Sequence, residues 1–131
     1  MSWVEVFAVL VLCHLAGDFL LQTEWQAMHK HRGLGRDPLA RRALRMHVTT
    51  YTLAFVPALV WIGLNIGALS AIGLAFLVFV PHLLQDDGRF VAGYMRTVKH
   101  TEPAAHAEVA LYVDQSMHLL VLFGIALLAG A

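Results

Sequence analysis

Charge is scarce in this chain. Only 14% of its 131 residues are charged, against about 25% in an average soluble domain, while 59% are hydrophobic and the mean hydropathy is +0.66. That excludes an ordinary soluble domain and reads as a membrane protein. A surplus of either sign is missing too: nine Lys and Arg balance nine Asp and Glu, so the basic excess of a nucleic-acid binder is absent. Cysteine is nearly missing. The single Cys13 rules out an internal disulfide and any multi-cysteine zinc motif, and is expected as a small buried apolar side chain. The N-terminus also lacks the basic opening of a signal peptide. Glu5 stands in its place, and the apolar run ends in His, Asp and Gln without a small-residue cleavage site, so the first helix is expected to be retained.

What the chain does have is long apolar runs. Four segments reach or approach the roughly 20 apolar residues that a membrane-crossing helix needs: Trp3 to about Leu21, Met46 to Ile66, Leu69 to Leu84, and Leu111 to Gly130. The expected fold is all-α, a polytopic membrane protein with four transmembrane helices in one bundle spanning residues 1–131. The third segment is short and follows a tight turn at Asn65–Leu69, so segments two and three should form a helical hairpin. Asp37-Pro38 is a helix-start signal, and Thr101-Glu102-Pro103 offers a similar opening for the fourth helix. Between them, Gly88 to His100 mixes Phe90, Val91, Tyr94 and Met95 with basic residues, as suits an interfacial helix or a loop lying on the membrane. All nine Lys and Arg fall in two places: Lys30 to Arg45, and Arg89 to Lys99. Alternating helix direction puts both on one face, which the positive-inside rule assigns to the cytoplasm; both termini then face outward, in a membrane expected to be a bacterial inner membrane.

The polar residues inside these runs follow a pattern. Segment one ends in His14-x-x-x-Asp18, segment three in His82-x-x-x-Asp86, and segment four opens with Asp114-x-x-x-His118; segment two brings His47. Each pair has i, i+4 spacing and so projects from one helix face. The motif reverses where the helix reverses, which holds all three aspartates near the cytoplasmic boundary and their histidines one turn deeper. The groups can converge.

Ionisable residues within membrane helices are costly and face a partner, a bundle interior or a water-filled cavity. One His-Asp pair alone would be read as a hydrogen bond holding helices together. Three pairs and a further histidine at common depth favour a metal site instead. His14, Asp18, His47, His82, Asp86, Asp114 and His118 offer the imidazole and carboxylate ligands that zinc first, and iron or manganese after it, accept. Seven candidates exceed what one tetrahedral ion needs. Either two ions bind, or some of the seven support the ligands and one acts as general base. Asp18, Asp86 and Asp114 are the candidates for catalysis. Gln22, Gln85 and Gln115 accompany the pairs, and Asp87 follows Asp86. Gln22 and Gln115, with Arg42 and Arg45, are candidates for substrate contact; the bland role of the arginines is topology and headgroup binding. His29, His31, His100 and His106 read as solvated surface residues, Glu5 as an outer-interface residue, and Trp3, Trp25 and Trp61 as interfacial anchors. A faint repeat relates His14-x-x-x-Asp18 plus His47 to His82-x-x-x-Asp86 plus His118.

At these residues "HLAGDFLLQTEW", the "MH" that follows the basic connection, and "DQSMH" near the C-terminus resemble the membrane-protein family known as domain of unknown function 3307, found in bacteria and phages. The resemblance spans nearly the whole chain and implies His14, Asp18, Gln22, His47, Asp114, Gln115 and His118 as signature positions. It supplies no activity. More distantly, the pattern is similar to small membrane-bound proteins described as metal-dependent hydrolases.

The leading expectation is a membrane-embedded metal-dependent hydrolase acting on a lipid or lipid-linked substrate near the cytoplasmic face. A metal-ion transporter or sensor would need a polar path to the outer face, which Leu53 to Val60 and Leu120 to Leu128 do not provide. A haem protein would want apolar surroundings for its axial histidines rather than clustered carboxylates. A purely structural role predicts that neutral replacements are tolerated. Lipids are the expected partners; a homodimer suits so small a bundle, although no residue specifies one.

Overall fold

The computed structural model describes residues 1–130. Helix α1, Trp3–Leu15, opens on a capping box: Glu5 N–H donates to Ser2 Oγ (3.3 Å) and Ser2 N–H to Glu5 Oε2 (2.7 Å). Glu5, expected at an interface, thus does local work at a helix start. The chain then continues through Ala16–Leu20 as a π-helical segment, closed by Leu21 N–H donating to the Ala16 carbonyl at 2.9 Å. Short helix α2, Glu24–His29, carries a second capping box from Thr23 and Gln26. Helix α3, Pro38–Ala54, starts as the sequence predicts, with Leu39 N–H donating to Asp37 Oδ1 at 2.9 Å and Pro38 in the first turn. Then follow α4, Val56–Ile66; α5, Ala68–Asp86; α6, Arg89–Thr97; and α7, Ala107–Ala129. Among the described residues there is no strand.

Three stretches are long and apolar enough to cross a membrane: Trp3–Leu20, Ala68–Asp86 and Ala107–Ala129. The fourth expected span is broken. Helices α3 and α4 meet at Phe55 with a bend of 48°, for which Pro57 supplies the reason: it has no N–H to donate to the Leu53 carbonyl one turn back, and Phe55 N–H bonds to Thr52 O in a tighter turn. The start of the last helix also differs from expectation. Glu102 is held by Arg96 through paired bonds of 2.9 and 3.0 Å, and residues 102–106 form tight turns, so α7 begins at Ala107.

Helices α4 and α5 form the expected hairpin, turning at Gly67 with φ +95°, a conformation that only glycine adopts readily. Helix α1 lies against α7, α5 against both α7 and α3, and α2 packs on α3. Their shared core contains Val6, Leu10, Phe55, Ile62, Leu122 and Ile125, with Cys13 packed half-buried at its edge. Outward faces stay apolar: Leu64 and Leu69 are each 83% exposed, and only 28% of each continuous span is buried. Such apolar surface suits lipid as its solvent. Helix α6 is amphipathic, turning Val91 and Met95 inward while Arg96 stays out, the helix the sequence allowed for between the last two spans.

The two basic connections meet. Arg32 N–H donates to the Asp87 carbonyl and Leu34 N–H to Asp87 Oδ1, both at 2.8 Å, while Arg89 pairs with Asp87 Oδ2 at 3.2 Å. Asp87 therefore ties the 30–36 loop to the end of α5 and does not face the polar cluster. Both connections lie at the end of the bundle where α1 and α5 finish.

Candidate metal centre

Four helices deliver polar side chains to that end. Asp18 comes from the π segment, where one extra residue in the turn re-aims the chain, a feature common at functional sites. Its neighbour Gly17 lets Tyr51 of α3 approach closely, since a Cβ there would sit 2.6 Å from Tyr51 Cδ2. Tyr51 in turn stacks on His82 of α5, ring centroids 3.3 Å apart and planes within 4°.

Asp18, His47, His82 and Asp86 form the first ligand group, all buried, each with a ligand atom within 4.8 Å of the others. His47 Nε2 lies 2.7 Å from Asp86 Oδ2 and 3.3 Å from Asp18 Oδ1; His82 Nε2 lies 3.3 Å from Asp86 Oδ2 and 3.6 Å from Asp18 Oδ1; the two Nε2 atoms are 3.1 Å apart. A tetrahedral ion with bonds of about 2.0–2.1 Å has ligand–ligand edges of roughly 3.3 Å. Five of the six edges of the cluster, at 2.7–3.6 Å, lie around that value.

A second group shares one member with the first: Asp86, Asp114 and His118. His118 Nδ1–H donates to the Asp114 carbonyl at 2.8 Å, leaving the Nε2 lone pair to face Asp86 Oδ1 at 3.4 Å. Neither of those two atoms has a hydrogen-bond partner, nor has Asp18 Oδ1, although all are buried. Leaving such an atom unsatisfied costs about 1–3 kcal/mol, more if charged. Two acceptors that face each other need something positive between them, a proton on Nε2 or a metal ion.

Surrounding groups hold this arrangement. Tyr51 O–H donates to His14 Nδ1 (3.1 Å), His14 Nε2–H donates to Gln115 Oε1 (2.9 Å), and the Gln115 amide donates to Asp18 Oδ2 (3.3 Å) and Asp114 Oδ2 (3.2 Å). His14 belongs to neither ligand group, because both its ring nitrogens serve this chain. Metal-bound carboxylates commonly depend on such outer partners. His47 Nδ1 and His82 Nδ1 have no partner, so packing orients those rings. Lys30 is the residue that sequence reasoning missed: it is 8% exposed, with Nζ 2.6 Å from Asp86 Oδ2 and 2.7 Å from Gln22 Oε1. In the sequence it is one of six basic residues in a connection, and nothing there distinguishes it. With its carboxylates charged, the cluster sets three negative groups against one ammonium. The cluster therefore carries net negative charge, which favours divalent cations.

A cavity of about 580 Å³ reaches the cluster, lined by the polar side chains of Asp18, Asp86, Asp114, Lys30, Gln22 and Gln115 and by apolar ones that include Phe19, Val91 and Leu111. Arg42 and Arg45 do not line it; they border a separate depression outside α3, and Arg42 lies over the Trp25 ring at 5.9 Å. His31 is exposed at the cavity wall beside Gly88, His29 bonds to the Trp25 carbonyl at 2.8 Å, His100 is exposed, and His106 stands just before α7 without a capping side-chain bond.

Fold and site together define an all-α protein with three continuous and one broken membrane-length apolar helix, carrying at one end a buried His/carboxylate cluster whose candidate ligand atoms lie within metal-binding distance of one another. The chain belongs to the family described as "Protein of unknown function (DUF3307)", whose model matches residues 6–130 and so includes both ligand groups. No curated protein and no solved structure gives a significant match.

Proposed function

We propose that the protein is a membrane-embedded metal-dependent hydrolase that cleaves a lipid or lipid-linked substrate at the cytoplasmic side of a bacterial inner membrane. One observation carries the reading: a cluster of ligand atoms within 4.8 Å of one another, with unpartnered buried acceptors, borders a cavity that is also lined by apolar side chains. A divalent cation bound there, zinc by the His and carboxylate set with iron or manganese as alternatives, supplies Lewis-acid chemistry that acidifies water and polarises an ester or phosphoryl group.

The remaining roles belong to the chain. Asp114, whose side chain is 22% exposed, faces the cavity and acts as general base. It takes a proton from the attacking water as the new C–O or P–O bond forms, then returns it to the leaving oxygen as the old bond breaks. Asp18 and Asp86 act as ligands. Gln115 fixes the orientation of Asp114, and Gln22 with Lys30 receives the headgroup at the rim. Arg42 and Arg45, outside the cavity, hold membrane headgroups and set topology. The core above the site, Tyr51, Phe55, Ile62 and Leu122, provides no polar route to the other end, which weighs against transport.

The test is turnover of a phospholipid, lipid-phosphate and glycolipid panel in nanodiscs, with products read by mass spectrometry. Metal-loaded protein should release product, and chelation or Asp114→Asn should reduce the rate at least 100-fold, the scale of a positioned general base. Absence of turnover across the panel by protein shown to carry metal would sink the proposal.

A further inference from the structure

We infer that Asp86 bridges two cations, so that the centre is dinuclear, with a closed buried position and an open one on the cavity. The inference rests on the metal reading of the cluster and is independent of hydrolysis. Asp86 is the member common to both ligand groups. Its two oxygens are divided between them: Oδ2 faces His47 (2.7 Å) and His82 (3.3 Å), and Oδ1 faces His118 Nε2 (3.4 Å). Paired metals roughly 3.5–4 Å apart are a recurrent arrangement in hydrolytic sites, and a carboxylate with one oxygen on each side has the reach to join them.

The two positions differ in kind. Asp18, His47, His82 and Asp86 supply four ligands, all buried, as a closed tetrahedral site requires. Asp86, Asp114 and His118 supply three, Asp114 through one oxygen so that the other keeps its place as base, and Asp114 borders the cavity, so a coordination place stays open there. His118 and Asp86 are 2% and 3% exposed, yet His118 Nε2 and Asp86 Oδ1 lack partners. The first position does not satisfy either atom, and a second cation satisfies both.

Charge then assigns a task to Lys30. Two divalent cations against three carboxylates leave one positive charge, which displaces the ammonium from Asp86 Oδ2 toward Gln22, already 2.7 Å away. The same excess attracts an anionic substrate group.

Chelator-stripped protein in detergent is titrated with Mn(II), freed of unbound ion, and read by elemental analysis and electron paramagnetic resonance. Wild type should hold two Mn per chain with an exchange-coupled spectrum. His118→Gln should hold one, with the resolved hyperfine pattern of an isolated ion. Asp114→Asn, which keeps the side-chain volume, gives the same reading if His118→Gln fails to fold. One or no Mn in wild type, an uncoupled spectrum, or two Mn in both variants overturns the inference. A one-ion protein that still hydrolyses lipid ends the bridge alone, and a coupled two-ion protein that hydrolyses nothing ends the hydrolase reading alone.

Discussion

Lys30 and Asp86 make a contact of 2.6 Å with almost no solvent around it, the carboxylate side chain being 1% exposed. Removing one partner of a buried pair is costly, about 3–5 kcal/mol, because it strands the other charge. In a metal site the same removal takes away a competitor for the carboxylate. Lys30→Met should therefore lower the melting temperature of chelator-treated protein, while tightening divalent-cation binding about tenfold, equivalent to 1.4 kcal/mol. Added metal should restore the melting temperature. Calorimetric titration of wild type and variant checks this, and weaker binding in the variant would assign Lys30 to support of the ligands instead. No composition or spacing argument reaches this residue. Its role exists only because the loop after α2 is held against the end of α5 by Asp87.

At the scale of elements, the π segment and the hairpin turn each depend on a glycine, for different reasons. Gly17 is needed for space: an alanine Cβ would meet Tyr51 Cδ2 at 2.6 Å and its backbone Cα at 3.3 Å, and Tyr51 is fully buried with His82 stacked on it. Gly67 is needed for conformation, with open space around it and φ at +95°. Overpacking costs about 1–3 kcal/mol, and a left-handed strained backbone costs a similar amount. Gly17→Ala should lower stability and also weaken metal binding, since the displaced ring carries His82 with it. Gly67→Ala should lower stability by a like amount and leave metal affinity unchanged. Thermal melts paired with a metal-competition assay distinguish the two; equal affinities in both variants would detach the Tyr51 stack from the site. The helices themselves were largely legible, because hydropathy marks their length and Asp37-Pro38 marks a start. The π turn was not, since it reflects which carbonyls find donors once the helices pack; the bend at Phe55 had its signal in Pro57, which a reading by hydropathy alone passes over.

Across the whole molecule, the basic connections gather at the end that holds the cluster, and the other end carries the Asn65–Gly67 turn with Leu64 and Leu69 exposed beside it. If the basic end faces the cytoplasm, as the positive-inside rule requires, then in a Cys13→Ser background an Asn65→Cys variant should react with a membrane-impermeant maleimide on intact cells. Arg36→Cys should react only after permeabilisation. The reverse labelling would place the cluster at the outer face and redirect the substrate search to outer-leaflet lipids.

Hydropathy and helical period alone specify an all-α chain of membrane-length apolar helices, with three His-Asp pairs and His47 toward the same ends of those helices. Those facts follow from hydropathy, which sets where a helix lies, and from the 3.6-residue period, which sets which residues share a face. Packing fixes what happens around the helix axes. Rotation of each helix, the extra residue in the π turn and the approach of the 30–36 loop put His47 and His82 Nε2 atoms 3.1 Å apart, gave His14 to Tyr51 and Gln115, and set Asp86 between two groups. Depth is a property of one helix in a bilayer, whereas coordination geometry depends on distances of a few ångströms between side chains far apart in the chain, which packing alone fixes.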